Sequence, residues 1–259
     1  AVVVGDDRQL SAIPQIGIAQ DRNLMNAQGL GTQGMGRFAQ SRRSLFDFAN
    51  DLPGVSRILL RDQYRSAPDI VDYISDQFDG GKLRPAGPPD RFIPPEGAKP
   101  GLSWNDVPAP PFPQRANVNP AEVDAIQRHL SNLLEVQGYR GSVGVISPFR
   151  PQVAELSGAI TNVIPSTILD EVDFRAGTVD SFQGQERDLI LFSPCVGPFA
   201  APSAVQFLQK DWRRLNVAIS RARAVAHVFG DLSYARSGKI TILQRLAARA
   251  TEPRSKASD

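Results

Sequence analysis

Short β-branched apolar runs separated by helical patterns constrain this chain more than any other feature. Ser142–Ser147 (SVGVIS), Ala176–Val179, Leu189–Ser193 (LILFS) and Ala224–Phe229 (AVAHVF) are apolar almost throughout. A strand with one solvated face alternates apolar and polar residues, whereas a strand covered on both faces does not. Runs this short favour strands over buried helices. Helical signals fall between them. Asn119 is placed to cap a helix that starts at Pro120, with Val123, Ile126, Leu130 and Leu133/Leu134 as its stripe. Ser66 is a candidate cap for a helix beginning at Pro68, with Ile70, Ile74 and Phe78 on one face. Pro151–Ile160, Val217–Arg223 and Ile240–Arg249 read as further helices, and Ser41–Asn50 as a short amphipathic one. The expected fold is α/β: a parallel sheet with helices on both faces and right-handed crossovers.

The rest of the chain is less regular. Ala1–Val4 reads as a buried strand and Arg57–Leu60 as a short one, while Pro14 to about Gly36 reads as a loop. A strand as first element, in a chain that opens without Met, suggests that upstream sequence has been removed. Residues 79–120 hold 11 of the 21 prolines, and this composition predicts an extended surface excursion rather than packed α/β structure. The implied organisation is a remnant of a preceding domain over 1–12, a linker with a short helix over 13–53, a main domain over 54–249 and a polar tail over 250–259.

Composition narrows the class. With 41% apolar residues in 259, the chain can build a sizeable core, which excludes global disorder. No run approaches a membrane span of about 18 apolar residues, and no signal peptide is present. A lone cysteine, Cys195, cannot close an intrachain disulfide, which fits a reducing, cytoplasmic setting. The net charge of +2 hides a concentration of basic residues: residues 209–249 carry 9 basic side chains against 2 acidic ones. Such a stretch suits phosphate or nucleic acid. His129 and His227 lack metal-ligand company, and no zinc spacing, Ser-His-Asp set or paired-carboxylate site is present, so no metal site is expected.

Five polar segments follow or precede the apolar runs. Gly5-Asp6-Asp7-Arg8-Gln9-Leu10 follows the first; its Gln can bond a phosphate or water, though a plain strand exit reads the same. Gln63-Tyr64-Arg65 offers a stacking face and a guanidinium fork, or simply the start of a surface helix. Gly144–Arg150 (GVISPFR) ends a strand on a hydroxyl and a cation suited to a backbone phosphate, or on an ordinary Pro-initiated helix. Gly177–Asp188 (GTVDSFQGQERD) packs polar groups so densely at a strand end that ligand work is the better reading. Arg213–Arg223 (RRLNVAISRAR) places Arg221 and Arg223 so that at least one can enter a crevice, against the alternative of a solvated basic helix face.

Taken in order, these segments resemble the later motifs of superfamily 1 DNA/RNA helicases, in the branch of the nonsense-mediated-decay RNA helicase. Gly5–Leu10 resembles motif III, Gln63–Arg65 the QYR of motif IV, and Gly144–Gln152 the GVITPYxxQ segment. Thr178–Ser193 is similar to motif V and Arg214–Arg223 to motif VI, with Ser220 in place of the commoner Thr. The match runs over roughly residues 1–231 and implies the second RecA-like, P-loop NTPase-type lobe of an ATP-driven motor. It implies that Tyr64 stacks on adenine and that Arg65 and Arg221 reach the γ-phosphate. Gln9 would link nucleotide state to nucleic-acid grip, Gly184 and Glu186 would lie near phosphate and ribose, and Ser147 and Thr178 would touch the nucleic-acid backbone. The forms TVDSFQG and RLNVAISRAR point to 5′-to-3′ movement. The sequence contains no GxxxxGK[ST] loop, and the Asp-Glu pair of motif II, which the family places upstream of motif III, is missing. ATP and Mg²⁺ would therefore be held mostly by a first lobe, the chain alone would not hydrolyse ATP, and its partners would be that lobe and single-stranded DNA or RNA. The alternative is a non-hydrolysing module that binds nucleic acid or protein.

Overall fold

In a computed structural model, residues 1–10, 16–31, 38–111 and 117–252 are described. They divide into two compact units, Ala1–Leu60 and Arg61–Asp259.

The first unit contains helices α1 (Ile18–Ala27) and α2 (Leu45–Asn50). A capping box starts α2: the Ser44 hydroxyl accepts from the Asp47 amide, and the Asp47 carboxylate accepts from the Ser44 amide. Phe38 and Phe48 pack with ring centroids 5.0 Å apart. Asp21, buried on α1, accepts from the Ser41 amide at 2.8 Å, and the Ser41 bonds hold its carboxyl below the usual range. Three expectations fail here. Part of the expected Pro14–Gly36 loop is α1, with the rest of that segment partly outside the described residues. Ala1–Val4 is not a strand, and Val2 and Val4 are exposed. Arg57–Leu60 is not a strand either, and Ile58 and Leu60 are exposed. An apolar run becomes a strand only where a neighbour takes its backbone hydrogen bonds, and no described strand flanks either run.

The second unit is built on a five-stranded, all-parallel sheet in the order β3-β7-β6-β4-β5. Its strands are β3 (Gly101–Asp106), β4 (Val143–Ser147), β5 (Arg175–Thr178), β6 (Arg187–Phe192) and β7 (Ala222–Gly230). Two residue pairs, β1 (Asp62–Gln63) and β2 (Arg84–Pro85), form a separate parallel ribbon. The helices are α3 (Pro68–Phe78), α4 (Pro120–Ser131), α5 (Arg150–Thr161), α6 (Ser166–Glu171), α7 (Pro202–Lys210), α8 (Arg213–Ser220), α9 (Leu232–Arg236) and α10 (Thr241–Thr251). β4 and β6 are buried along their whole length, as strands covered on both faces must be. α4 and α5 pack on each other and over β7, β4 and β5, while α3 and α8 pack together against β3, β6 and β7. The expected α/β class, with a parallel sheet flanked by helices, is what forms.

β3 corrects the expected excursion over 79–120. It lies inside the proline-rich segment and pairs along its whole length with β7, from Gly101 opposite Val225 to Asp106 opposite Gly230. Proline excludes itself from a ladder only where its missing N–H is needed, and residues 101–106 contain none. The helix at Pro68 starts as expected but without the expected cap, since its N-cap is Ala67, which makes no side-chain bond. Asn119 does cap α4, accepting from the Glu122 amide at 3.4 Å. The expected helix Val217–Arg223 ends early: α8 stops at Ser220, and Arg223 belongs to β7. Most of the polar tail lies outside the described residues.

Candidate functional site

The strands carry polar residues at both ends, and the two ends hold different chemistry. At the amino-terminal edge, the motif V turn runs into β6 and the end of α8 runs into β7. Gly184 has φ +82°, a left-handed conformation that favours glycine, and a Cβ there would meet nothing within 4 Å. The turn therefore leaves its backbone open to a ligand. Two hydrogen bonds join it to the end of α8: the Arg187 amide donates to the Arg221 carbonyl at 3.0 Å, and Arg221 Nη1 donates to the Gln185 carbonyl at 3.4 Å.

Arg221 is only 1% exposed. Its Nε donates to the Val217 carbonyl and its Nη2 to the Ser220 hydroxyl. In this conformation the guanidinium braces the two motifs rather than facing a crevice. Arg65 stands differently. Its Nε donates to Glu186 Oε2 at 2.7 Å, and both side chains are about one-third exposed. The loop carrying Arg65 is folded by Gln63, whose Oε1 accepts from the Arg65 and Ser66 amides and whose Nε2 donates to the Ser66 hydroxyl. That use of Ser66 explains its absence as a cap. The loop is also tied to the sheet, because the Ala67 amide donates to the Arg223 carbonyl at 2.7 Å. Tyr64 between them is 56% exposed, which leaves its ring accessible for stacking.

A carboxylate and three further groups complete this edge. Asp188, 3% exposed, takes Arg223 in a two-point clamp, from Nε at 3.0 Å and Nη2 at 2.8 Å. It also accepts from the Ser142 amide and hydroxyl. Arg223 Nη2 donates to the Ser142 hydroxyl, and Nη1 stands 3.6 Å from Glu186 Oε1. The clamp joins the amino ends of β4, β6 and β7. Sequence reading assigned no role to Gln63, Asp188 or Ser142, although the clustering of polar residues before an apolar run was a usable signal for Asp188.

The carboxyl-terminal edge carries Ser147 and Thr178, which are register partners at the ends of β4 and β5. Thr178 is partly exposed, and its hydroxyl accepts from the Ser181 amide. Ser147 is fully buried, so its hydroxyl is not offered at the lip as expected. Strands advance about 3.3 Å per residue, so the five residues of β4 hold the two edges well apart. Arg65, Glu186 and Arg221 thus share one edge with Tyr64 and Gly184, while Ser147 and Thr178 share the other. Gln9 lies in the first unit, where its amide donates to Asp6 Oδ2 at 2.6 Å. Among the described residues, no group of three or more His, Cys, Asp or Glu side chains is arranged to hold a metal ion.

Just past β6, a buried polar knot holds the chain. Glu122 Oε2 accepts from the Ser193 hydroxyl and the Cys195 amide, and Oε1 from Asn119 Nδ2. Gln152 joins through Ser193 and Asn119. Burial pushes the Glu122 carboxyl up from 4.5 to about 8 against the pull of these donors, and it pushes the Cys195 thiol up as well. Unfolded Glu122 loses its proton near its ordinary value while the folded chain keeps it. Its stabilising effect is therefore complete below about 4.5 and is lost as pH rises through about 8. His227, which burial lowers to about 3, acts oppositely and at lower pH. Between about pH 7 and 8.5, urea denaturation should show stability falling by about 1 kcal/mol per pH unit, and Glu122→Gln should flatten that slope. An equal slope in both proteins would remove Glu122 as its source.

Residues 41–233 match the model of the AAA domain family, about three quarters of the chain. The chain belongs to this family. Its relatives are helicases, in accord with the superfamily 1 resemblance. MOV-10 of Gallus gallus, a helicase by name, is 28% identical over 89% of this chain and 26% of its own length. The DNA polymerase alpha-associated DNA helicase A of Saccharomyces cerevisiae is 29% identical over 89% of this chain and 34% of its own. Helicase SEN1 of the same yeast is 38% identical over 42% of this chain and 4% of its own. The chain thus spans about a third or less of these relatives. No helix among the described residues is long and apolar enough to cross a membrane.

Proposed function

We propose that the chain is the second motor lobe of an ATP-dependent DNA or RNA helicase or translocase, moving 5′ to 3′ on a single strand. The observation that carries the reading is the gathering of Tyr64, Arg65, Gly184, Glu186 and Arg221 on one sheet edge, from three motifs that together span more than 150 residues of sequence. These residues fit the nucleotide part of ATP: an exposed ring for the base, an open glycine turn, and arginines for the phosphates. Tyr64 would stack on adenine, Glu186 would face the ribose side, and Arg65 and Arg221 would meet the γ-phosphate. The bound ATP supplies the phosphoryl group whose transfer drives movement, and Mg²⁺ would be held chiefly by a first lobe. Ser147 and Thr178 would lie toward the nucleic acid at the opposite edge, with Ser147 shaping the strand end from below. A cytoplasmic setting goes with this reading.

Arg221 is 1% exposed and bonded to Val217, Gln185 and Ser220, so the reading requires its guanidinium to be uncovered when the lobes close. The same burial favours the second reading, a non-hydrolysing module that binds nucleic acid or protein. The test compares ATP turnover, with and without single-stranded nucleic acid, in this chain and in a longer form that includes a phosphate-binding loop. We expect stimulated turnover only in the longer form. No turnover in either would leave the binding module standing.

A further inference from the structure

Three of the arginines at the amino-terminal edge, Arg65, Arg221 and Arg223, are given different freedoms by their surroundings. Arg221 is buried and braces two motifs. Arg223 is fixed by a two-point clamp on a buried carboxylate and by the Ser142 hydroxyl. Arg65 has one side-chain partner among the described residues, Glu186, and is about one-third exposed. Planar forks held at two points lose their freedom, whereas a guanidinium held through Nε alone can swing. Glu186 stands between a fixed cation and a movable one: Oε2 on Arg65 at 2.7 Å and Oε1 on Arg223 at 3.6 Å.

We propose that Glu186 is an exchangeable latch for Arg65, and that Arg223 is the positioning residue that holds the Glu186 carboxylate when Arg65 leaves it for a nucleotide phosphate. The phosphate role of Arg65 rests on the function proposed above; the latch itself does not. With Arg65 gone, a lone carboxylate at this edge would repel the phosphates, and the Arg223 charge offsets it. Because the clamp draws on three strand starts, Arg223 holds its place whichever partner Glu186 has. Without Arg223, Glu186 would have Arg65 as its one ion-pair partner among the described residues and would hold it more tightly.

Two measurements test this. The first follows hydrogen exchange at Arg65 Nε–H by NMR in this chain, without nucleotide. Glu186→Gln should speed exchange, and an unchanged rate would overturn the latch. Arg223→Gln combined with Asp188→Asn removes the buried pair together and so leaves no orphaned charge. This double variant should slow Arg65 exchange about two- to fivefold, the range that an ion pair of this exposure supports. The second uses ATP turnover in the longer form. There the double variant should raise KM about two- to fivefold and leave kcat within about twofold, because a ground-state competitor has been strengthened. If the double variant leaves both Arg65 exchange and KM unchanged, Arg223 only packs the sheet and the positioning role fails. If the unaltered longer form shows no ATP turnover, the motor reading fails while the exchange measurement still decides the latch.

Discussion

Arg221→Ala, in a form that carries a phosphate-binding loop, is expected to lower nucleic-acid-stimulated ATP turnover about 10³-fold or more. The size follows from what an arginine does at a transferring phosphoryl group. Charge spreads over the phosphate oxygens in the transition state, and a guanidinium already in place stabilises it without reorganising water. Arg221 also braces the motif V turn, so the loss could arise from misplacement of that turn rather than from missing charge. Arg221→Lys separates the two. Lysine keeps the charge but cannot fork between the Gln185 and Val217 carbonyls, so it should recover part of the turnover if charge is the larger effect. Nucleotide affinity measured beside turnover shows whether the ground state is spared. Unchanged turnover in Arg221→Ala would end the assignment and leave Arg221 as a brace.

The second large effect is on stability. Asp188→Ala should destabilise the second unit by about 3 kcal/mol, the lower end of what breaking a buried ion pair costs. The deletion removes a carboxylate that accepts from Ser142 twice and from Arg223 twice, and leaves the Ser142 amide without its acceptor. The lower end is appropriate because the Arg223 side chain is 28% exposed and can turn to water. Asp188→Asn should cost less, since its side-chain oxygen still accepts from Ser142. Urea denaturation of the three proteins reads the difference, and a loss below about 1 kcal/mol for Asp188→Ala would mean the clamp adds little to stability.

The sheet could be read from the sequence because its strands are buried on both faces, which leaves continuous apolar runs in the text. Each of β4, β5, β6 and β7 lies within two residues of a run identified that way. The same reasoning failed where a run had no neighbour. Ala1–Val4 and Ile58–Leu60 are as apolar as β4, but apolarity does not supply a hydrogen-bonding partner. It failed in the other direction for β3, whose Gly101-Leu102-Ser103-Trp104-Asn105-Asp106 is too polar and too close to prolines to read as a strand. Only pairing with β7 reveals it.

The site was legible by motif but not by geometry. The resemblance to motifs IV, V and VI named Arg65, Glu186 and Arg221, yet nothing in a linear reading says that Glu186 touches Arg65, 121 positions away. Nor could spacing show that Arg221 is buried while Arg223 grips Asp188. Those facts depend on which strands lie side by side. β6 lies between β4 and β7, and this order brings Ser142, Asp188 and Arg223 together.

The prolines around β3 have a further consequence. Among the described residues β3 is an outermost strand, so the row of amide and carbonyl groups on its far side lies outside the ladder, with the Leu102 amide taken by the Asp69 carboxylate. Such a row invites another chain to add itself, and the invitation grows with length and flatness. Pro100 stands immediately before the strand, and Pro108, Pro110 and Pro111 follow closely after it. None has an amide hydrogen to extend the row, so the prolines keep that side of the strand from lengthening past its six residues. The composition that hid the strand thus guards the molecule against edge-to-edge aggregation.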